Sequence, residues 1–376
     1  MRPAPGHARA LVQSFPDARF PYRDNMNTDI FGWDIGGAHL KVARLDASGN
    51  VTSVHQLACP LWRGVGELAR SAAPLAGALE ARDALHAVTM TGELCDVFPT
   101  RADGVRAILT AFAGLVGGDA RTRVFAGHAG WLSPREAMSS GAGDVASANW
   151  LALATCVAEC VGDGVLIDVG STTTDVIPLG AGSVRAEGRD DATRLAAGEL
   201  VYTGVVRTPV ASVCTRVPFR GRWQPLAAET FATMADVHRL CGTLTERHDL
   251  METADGGGKD ASASARRLAR MVGCDLADGA ARGEMTLLAH YLARRQRETI
   301  ADALALVMSR SGDAPAAAPL IGAGAGRFVV AALAAASGRS YRPFEQLVGV
   351  DAALDDDVAV AAPAVAAARL AWMARL

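Results

Sequence analysis

The sequence predicts a two-domain α/β protein, because one local pattern occurs in each half of a chain of 376 residues. In the first half, an apolar run around Asp34 leads through Gly36 and Gly37 into a second apolar run. In the second half, the run around Asp168 leads through Gly170 into a hydroxyl-rich turn and a return strand. Each pattern is typical of a β-hairpin. Two such hairpins predict a divergent duplication.

The first domain is predicted to span residues 29–163 and to alternate strands with helices. Residues 1–28 have no clear periodicity, so we expect a flexible tail there, with Met26 as an alternative start. The predicted elements are strands Ile30–Ile35, Leu40–Leu45 and Val51–Leu57, a helix from about Gly64 to Ala81, strand Ala84–Thr91, a further helix, strand Arg123–Ala126 and a linking helix at about Val145–Val161.

The second domain is predicted to span residues 164–376 and to repeat the opening hairpin, with strands Gly164–Val169 and Asp175–Leu179. Residues from about 190 to 315 contain helical and loop patterns without strand alternation. We expect this segment to be a helical insertion that determines substrate specificity. A third glycine-rich stretch, Pro319–Arg327, then precedes a helix-like run.

Both predicted turns have the composition of a phosphate-binding loop. Glycine lets the backbone adopt a positive φ and lets phosphate oxygens approach main-chain N–H groups. An aspartate at a buried strand end needs a partner, and a hydrated Mg²⁺ beside a polyphosphate supplies one. We therefore expect Asp34 and Asp168 to contact Mg²⁺. The residues expected to bind phosphate are Gly36, Gly37, Ala38, Gly170, Ser171, Thr172 and Thr173.

Three polar residues beside the loops are candidate catalytic groups, and each has a structural alternative. Lys41 either neutralises phosphate charge or extends into solvent on its strand. His39 either accepts a proton from a substrate or caps the turn with a hydrogen bond. Asp175 either accepts that proton or forms a turn at the strand end.

Candidate substrate-binding residues lie outside the two loops. Glu93 follows a predicted strand and a glycine, and it either faces the cleft or lies in a surface turn. An aromatic substrate needs an apolar slot, for which Trp33, Trp150 and Tyr202 are the candidates. The full set of expected substrate-binding residues is Glu93, Asn149, Glu199, Tyr202 and Arg207.

The composition excludes several classes of partner. A net charge of −3 gives no general attraction to nucleic acid or to an anionic membrane, so any phosphate recognition is local. The apolar stretches are broken by charges, and the first residues lack the apolar core of a signal peptide. We therefore expect a cytoplasmic protein that acts on small molecules.

The seven cysteines are scattered and contain no C-x-x-C pair. Cys156 and Cys160 lie four residues apart on a predicted helix, as two metal ligands can, but their neighbours are apolar. We expect buried core thiols at both positions, without zinc or disulfides.

The order of these landmarks resembles that of the superfamily containing actin, sugar kinases and the Hsp70 ATPase domain. Residues 143–154 lie where that fold places its inter-domain helix, and Pro319–Arg327 is similar to its adenosine motif. The resemblance implies two ribonuclease-H-like domains that clamp a phosphorylated ligand between facing hairpins. It also implies that Gly322 and Gly324 contact the phosphorylated ligand.

The run Trp-Asp-Ile-Gly-Gly-Ala-His-Leu-Lys, residues 33–41, resembles a narrower, hydantoinase-A-like family of methanogens and methylotrophs, described as tetrahydromethanopterin-linked one-carbon-transfer proteins. Residues 89–94, 141–150, 198–209 and 235–240 are similar to the same family. The resemblance implies a step of methanofuran or methylofuran biosynthesis. In that step an aminomethylfuran-methyl diphosphate condenses with the phenol of γ-glutamyltyramine or tyramine, forms an aryl ether and releases pyrophosphate.

Two other functions fit the same loops. An ATP-dependent kinase, or an ATP-driven amidohydrolase of the hydantoinase kind, would use the third glycine motif to bind ATP. A nucleotide-dependent scaffold without catalytic activity, similar to filament-forming actin relatives, would also need both loops. Ala38 and His39 replace the threonine that kinases usually have after the paired glycines, which favours the transferase.

Overall fold

A computed structural model describes residues 28–79, 83–276, 280–310, 317–350 and 352–374. The predicted tail therefore lies outside the described residues, apart from its last position. Two large sheets, each of six strands, organise this part of the chain. Each sheet begins with one of the two predicted hairpins, which confirms the α/β fold with two duplicated ribonuclease-H-like domains.

The first domain contains one mixed sheet in the order β3-β2-β1-β4-β5-β6. β1 pairs antiparallel with β2 and parallel with β4. The elements are β1 (Ile30–Ile35), β2 (His39–Leu45), β3 (Val51–Ala58), α1 (Glu67–Ala72), α2 (Ala76–Leu79), β4 (Leu85–Met90), α3 (Arg101–Val116), β5 (Thr122–Phe125), β6 (Trp131–Leu132), α4 (Pro134–Ser139), α5 (Ala142–Val145) and α6 (Asn149–Val161).

Two helices of this domain differ from the predicted ones. The helix expected from Gly64 to Ala81 is divided into α1 and α2 by a 3₁₀ turn at residues 73–75. Pro74 lies in this turn and lacks the N–H that a continuous α-helix requires. The linking helix starts at Asn149 rather than at Val145, because Ser147 has a left-handed φ of 54° that interrupts the helix.

The second domain repeats the hairpin and adds most of the helices. Its main path of strands is β10-β8-β7-β13-β14, and β9 pairs with β8. The elements are β7 (Gly164–Val169), β8 (Thr174–Gly180), β9 (Ser183–Val184), α7 (Asp191–Ala197), β10 (Leu200–Val201), α8 (Val210–Val213), β11 (Arg216–Phe219), β12 (Arg222–Pro225), α9 (Met234–Leu240), α10 (Ala261–Met271), α11 (Ala280–Met308), β13 (Leu320–Ala323), α12 (Arg327–Ser337), β14 (Tyr341–Pro343), α13 (Phe344–Val348), α14 (Asp355–Val360) and α15 (Ala362–Ala374).

The segment predicted as a helical insertion also contains strands. β10 joins the main sheet, and β11 and β12 form a separate hairpin. Arg220 and Gly221 both have positive φ at the turn of that hairpin, as a two-residue primed turn requires. The helices α8 to α11 and this hairpin enclose a hydrophobic cluster of their own. The insertion is therefore a packed subdomain.

α6 and α15 form the layer between the two sheets. α15 packs on β1, β2 and β4, whereas α6 contacts α15, β4, β7 and β8. One hydrophobic cluster accordingly contains residues of both sheets, such as Ala43 and Ile177. Gly32 of β1 allows the closest approach, because a Cβ there would lie 2.0 Å from the carbonyl oxygen of Ala364. The helices of the described segments include none with the length and apolar character needed to cross a membrane.

Candidate active site

The two hairpin loops line one cleft of about 660 Å³. Every loop residue that the sequence predicted for phosphate binding is in its wall: Gly36, Gly37, Ala38, Gly170, Ser171, Thr172 and Thr173. The predicted catalytic residues also line it: Asp34, His39, Lys41, Asp168 and Asp175. Asn149, Trp150, Tyr202 and Arg207 complete the predicted residues that the fold brings together here.

The two hairpins have the same geometry. In each, the first glycine N–H donates to the carbonyl three residues later, from Gly36 to His39 and from Gly170 to Thr173, both at 2.9 Å. In each hairpin, an aspartate lies two residues before this glycine. It pairs across the β-ladder with the residue that lies five positions after the glycine. Asp34 thus faces Lys41, and Asp168 faces Asp175.

The first loop is held by its carbonyl groups. The N–H of Leu61 donates to the Gly37 carbonyl at 3.1 Å, and the N–H of Cys59 donates to the Ala38 carbonyl at 2.8 Å. Within the described residues, the N–H groups of Gly37 and Ala38 have no hydrogen-bond acceptor. Main-chain N–H groups left free in this way form a binding site for an anion.

The second loop is held in the same manner. The Ser171 carbonyl accepts from the N–H groups of Val206 at 3.1 Å and Arg207 at 2.8 Å. Ser171, Thr172 and Thr173 donate no main-chain hydrogen bond to any described residue. Their N–H groups are therefore available to a ligand, as in the first loop, whereas the hydroxyls of Ser171 and Thr172 contact each other at 3.4 Å.

The segment that contains Thr203 and Gly204 packs against the second loop, and residues of the helical insertion hold it in place. A Cβ at Gly204 would lie 2.4 Å from the Thr172 nitrogen, so only glycine fits between this segment and the loop. Gln296 of α11 donates to the Gly204 carbonyl at 2.8 Å and to the Thr203 hydroxyl at 2.9 Å. His238 of α9 contacts the Gln296 side-chain oxygen at 2.8 Å. The insertion thus positions the second hairpin loop.

Arg194 is a cation of the cleft that the sequence reasoning missed. Asp190 and Thr193 form a capping box that starts α7, which places Arg194 in the second turn of that helix. Its guanidinium is buried, lies 2.7 Å from an oxygen of Asp175 and stacks 4.0 Å above the Trp150 ring. The capping pattern predicts the helix, but only the tertiary fold brings Arg194 to Asp175.

The carboxyl groups of the cleft repel one another. Burial, together with the neighbouring charges of Asp175 and Asp34, raises the pKa of Asp168 to about 7, although Lys41 acts in the opposite direction. Burial also raises the pKa of Asp175, although Arg194 acts in the opposite direction. Lys41 instead pairs with Asp34 at 3.4 Å, so it lies in the cleft rather than extending freely into solvent.

The residues present fit a hydrated Mg²⁺. Carboxylate oxygens are its preferred protein ligands, and the carboxyl groups of Asp34 and Asp168 both line the cleft. The described part of the chain contains no group of three or more His, Cys, Asp or Glu side chains able to hold a metal ion. Mg²⁺ commonly needs only one or two carboxylates, because water and substrate phosphates complete its shell.

His39 is a buried, neutral imidazole. Burial, together with the positive charges of Lys41 and Arg207, lowers its pKa to about 3. Its Nε2 atom is buried and has no hydrogen-bond partner among the described residues. A group with such a low pKa is a weak base at neutral pH, but it remains able to hydrogen-bond a ligand.

Glu93 supports the site from behind the cleft wall. The N–H and hydroxyl of Ser147 donate to one Glu93 oxygen at 2.8 and 3.1 Å. This contact holds the left-handed turn that precedes α6, where Asn149 donates to Asp34 at 3.4 Å. Glu93 is only 1% exposed and does not line the cleft. It is therefore a positioning residue and not, as expected, a substrate ligand or part of a surface turn.

Two other expected ligands lie outside the cleft. Glu199 is fully buried, accepts from the N–H groups of Glu187 at 2.7 Å and Gly188 at 2.9 Å, and pairs with Arg310. Trp33 lies in the core of the first domain against His86 and Phe112, so it forms no substrate slot. The sequence pattern marks both residues as polar or aromatic but carries no signal for their burial.

Gly322 and Gly324 also differ from their expected role. Neither lines the cleft. A Cβ at Gly322 would lie 2.7 Å from the Tyr341 ring, and one at Gly324 would lie 2.4 Å from an oxygen of Asp168. Close packing therefore explains both glycines.

Among the cysteines, Cys156 is buried as expected, whereas Cys160 is exposed.

Aromatic side chains stand at the mouth of the cleft. Tyr202 is 60% exposed and Trp62 is 42% exposed, and both line the cavity. The Arg207 guanidinium lies 5.8 Å from the centre of the Trp62 ring. Trp62 was missed by the sequence analysis, because its position follows from the 3₁₀ turn after β3. These rings provide the apolar surface that an aromatic substrate needs.

The fold and the cleft define a protein of two duplicated domains whose hairpin loops line one cleft. The hydantoinase/oxoprolinase family matches residues 84–369, and the chain belongs to this family. The nucleotide-free structure of acetone carboxylase is similar in fold, with a TM-score of 0.52 and 12% identity over 83% of this chain and 68% of that one.

Two curated relatives carry the same enzyme name, (4-{4-[2-(gamma-L-glutamylamino)ethyl]phenoxymethyl}furan-2-yl)methanamine synthase. The one from Methanocaldococcus jannaschii is 34% identical over 251 residues, which are 66% of this chain and 73% of that protein. The one from Methanococcus vannielii is 33% identical over 112 residues, which are 30% of this chain and half of that protein. These similarities confirm the narrower family resemblance.

Proposed function

We propose that this protein is a transferase of methanofuran or methylofuran biosynthesis. It joins the methylene carbon of an aminomethylfuran-methyl diphosphate to the phenolic oxygen of γ-glutamyltyramine or tyramine. The name of the relatives supports this assignment, because their product contains the phenoxymethyl-furan ether. The observation that carries it is the pair of loops whose free N–H groups line one cleft.

The reaction is a substitution at the furan methylene. The bond between that carbon and the diphosphate oxygen breaks, and its electron pair leaves with pyrophosphate. The phenolic oxygen forms the new bond and loses its proton. Negative charge thus develops on the diphosphate, while the furan ring stabilises positive charge on the carbon. Catalysis accordingly needs fixed hydrogen-bond donors and cations around the diphosphate.

Each group of the cleft has a role in this proposal. The free N–H groups of the two loops bind the diphosphate oxygens, and Lys41, Arg194 and Arg207 supply positive charge. Asp34 and Asp168 would hold Mg²⁺, which as a Lewis acid stabilises the charge that develops on the leaving group. Trp62 and Tyr202 hold the aromatic rings of the substrates and exclude water from them.

Asp175 is the better candidate to accept the phenolic proton. The pKa of His39 is lowered to about 3 by burial and by nearby cations, whereas burial raises the pKa of Asp175. The carboxylate of Asp175 is also held in place by Arg194. His39 then serves as a hydrogen-bonding group beside the first loop.

An ATP-driven reaction is the second candidate function. The match to the hydantoinase/oxoprolinase family favours it. It requires a nucleotide to reach the same two loops. The packing of Gly322 and Gly324 against protein atoms counts against a nucleotide on these glycines.

Calorimetric titration separates the two candidates. We expect tight binding of Mg²⁺ with pyrophosphate, negligible binding of Mg²⁺ with ATP, and ether formation with the synthetic furan diphosphate. Asp34→Asn and Asp168→Asn should each lower turnover by at least about 100-fold, as expected for loss of a charge-stabilising group. Asp302→Asn, at an exposed position of α11, is the matched control. Near-normal turnover of both cleft variants would refute the assignment, and preferential ATP binding would favour the second candidate.

A further inference from the structure

A second cavity, of about 360 Å³, lies beside the start of α12. Its walls come from the loop after α9 and from α12, β14, α13 and α14. The cavity is close to the cleft, because Ala325 lines it and the adjacent Gly324 packs against Asp168. A short stretch of backbone therefore separates it from the reacting groups.

The cavity contains both signs of charge with an excess of negative charge. The Nε of Arg327 donates to Glu345 at 3.0 Å, and another nitrogen of its guanidinium pairs with Asp356. Two carboxylates thus share one guanidinium. In the described part of the chain, the Nη1 of Arg327 has no hydrogen-bond partner, so it remains available as a donor.

Two buried polar atoms of this cavity are unpaired within the described residues. They are one carboxylate oxygen of Glu345 and the Nε2 of His248, which have no hydrogen-bond partner there; the two residues are 6% and 7% exposed, and the Nε2 lies 4.0 Å from an oxygen of Asp357. The other nitrogen of His248 is occupied by the Thr245 hydroxyl at 3.0 Å. Buried polar atoms are nearly always hydrogen-bonded in native proteins. Unpaired atoms at two sides of one cavity indicate a polar ligand.

We propose that this cavity binds the α-amino-acid end of a γ-glutamyl acceptor. The ammonium group binds to Glu345, and the carboxylate binds to the free donor of Arg327. The inference rests on the proposed function, which requires an acceptor phenol at the cleft. It is supported by the γ-glutamylamino group in the product name of the relatives. A ligand that carries both charges places its ammonium group against the unpaired oxygen of Glu345 and its carboxylate against the free Nη1 of Arg327.

A nucleoside matches this cavity less well. It has no positive charge to place against Glu345 and Asp356, and it has no carboxylate for Arg327. The phenyl ring of Phe328 and the phenol of Tyr341 also line the cavity and suit the short hydrocarbon chain that follows the amino acid. The site therefore favours a ligand in which an α-amino-acid group is followed by a short hydrocarbon chain.

The test measures the binding of γ-glutamyltyramine and of tyramine to the full chain by calorimetry. We expect γ-glutamyltyramine to bind at least about 10-fold more tightly, and Glu345→Gln to remove this difference while tyramine binding is unchanged. Glu229→Gln, at an exposed position, is the matched control. His248→Gln is a second variant if Glu345→Gln unfolds, and it should lower the same preference.

The outcomes separate this inference from the proposed function. Equal affinity for the two amines in the wild-type protein, a preference that survives Glu345→Gln, or displacement of γ-glutamyltyramine by adenosine would each overturn it. Binding of Mg²⁺ with pyrophosphate reports on the cleft alone. If pyrophosphate fails to bind while the Glu345-dependent preference persists, the proposed function fails and the amino-acid site stands.

Discussion

At the scale of single residues, the two hairpins differ at one equivalent position. Asp34 faces a lysine across the first ladder, whereas Asp168 faces another aspartate across the second. The first pair is attractive and the second is repulsive. The second hairpin therefore brings two carboxyl groups together beside its loop, and this is where we propose that a cation binds.

Asp168→Asn should stabilise the protein while it lowers activity. The pKa of Asp168 is about 7 in the folded protein and about 4 in the unfolded chain, so the folded state binds the extra proton between these values. The free energy of unfolding consequently falls as the pH rises from about 4 to about 7. We expect the variant to melt about 2–4 °C higher than wild type at about pH 8 with EDTA present. The gain should disappear near pH 4, and a variant that melts no higher at pH 8 contradicts the prediction.

Arg194→Met should be strongly destabilising. It leaves Asp175 without its partner and exposes the Trp150 ring, and breaking a buried ion pair costs about 3–5 kcal/mol. Adding Asp175→Asn should restore part of the loss, because the unpaired charge is removed. A double-mutant cycle from guanidinium unfolding measures this coupling. Arg194→Lys is the control that keeps the charge without the planar fork. Additive effects of the two changes would contradict a direct interaction.

At the scale of elements, one helix shows how packing overrides helix propensity. α3 contains Gly104 and Gly114, which look equivalent in sequence. Gly104 contacts Glu93, and a Cβ there would lie 2.7 Å from the Glu93 Cα atom. A Cβ at Gly114 would meet no other atom within 4 Å. The first glycine thus positions the wall of the active site, whereas the second only weakens the helix.

Gly104→Ala and Gly114→Ala should change stability in opposite directions. Overpacking at Gly104 costs about 1–3 kcal/mol, while replacing the exposed Gly114 gains about 0.5–1 kcal/mol through helix propensity. Guanidinium unfolding of both variants measures the difference. We also expect Gly104→Ala to reduce turnover, because it displaces Glu93 and with it Asn149. If both variants are equally stable, Gly104 does not make the close contact described.

Local sequence patterns predicted which strands and helices are present more accurately than the residues at which these elements begin and end. The two hairpins are encoded by adjacent residues, so their strands and turns could be located from the sequence. The break at Pro74 has a local cause and was predictable, whereas the start of α6 depends on the contact between Ser147 and Glu93. Arg194 and Trp62 were missed, because their place in the cleft depends on contacts between distant segments. The same limit applies to Glu199, whose burial follows from its ion pair with Arg310.

At the scale of the whole molecule, the two domains share a core. α15 is the last described element of the second domain, but it packs on β1, β2 and β4 of the first. Its alanines are nearly all buried, and their small side chains allow the helix backbone to approach the sheet. The two domains are therefore expected to unfold together.

Gly32→Ala tests this shared core. The new methyl group would meet the Ala364 carbonyl and the Ala368 side chain, so we expect a loss of at least about 1–3 kcal/mol. Gly143→Ala is the control, because a Cβ there has open space. Far-ultraviolet circular dichroism and tryptophan fluorescence should report one coincident transition that shifts as a unit. Separate transitions, or a shift in only one of them, would show that the domains unfold independently.

The position of α15 has a consequence for protein synthesis. It is the last of the described elements to leave the ribosome, yet it covers the sheet whose strands emerge first. That sheet keeps an apolar face, including Ile30 and Leu45, open to the solvent until α15 has been synthesised. We therefore expect the nascent first domain to bind chaperones until α15 emerges and to become resistant to proteases only when α15 has docked.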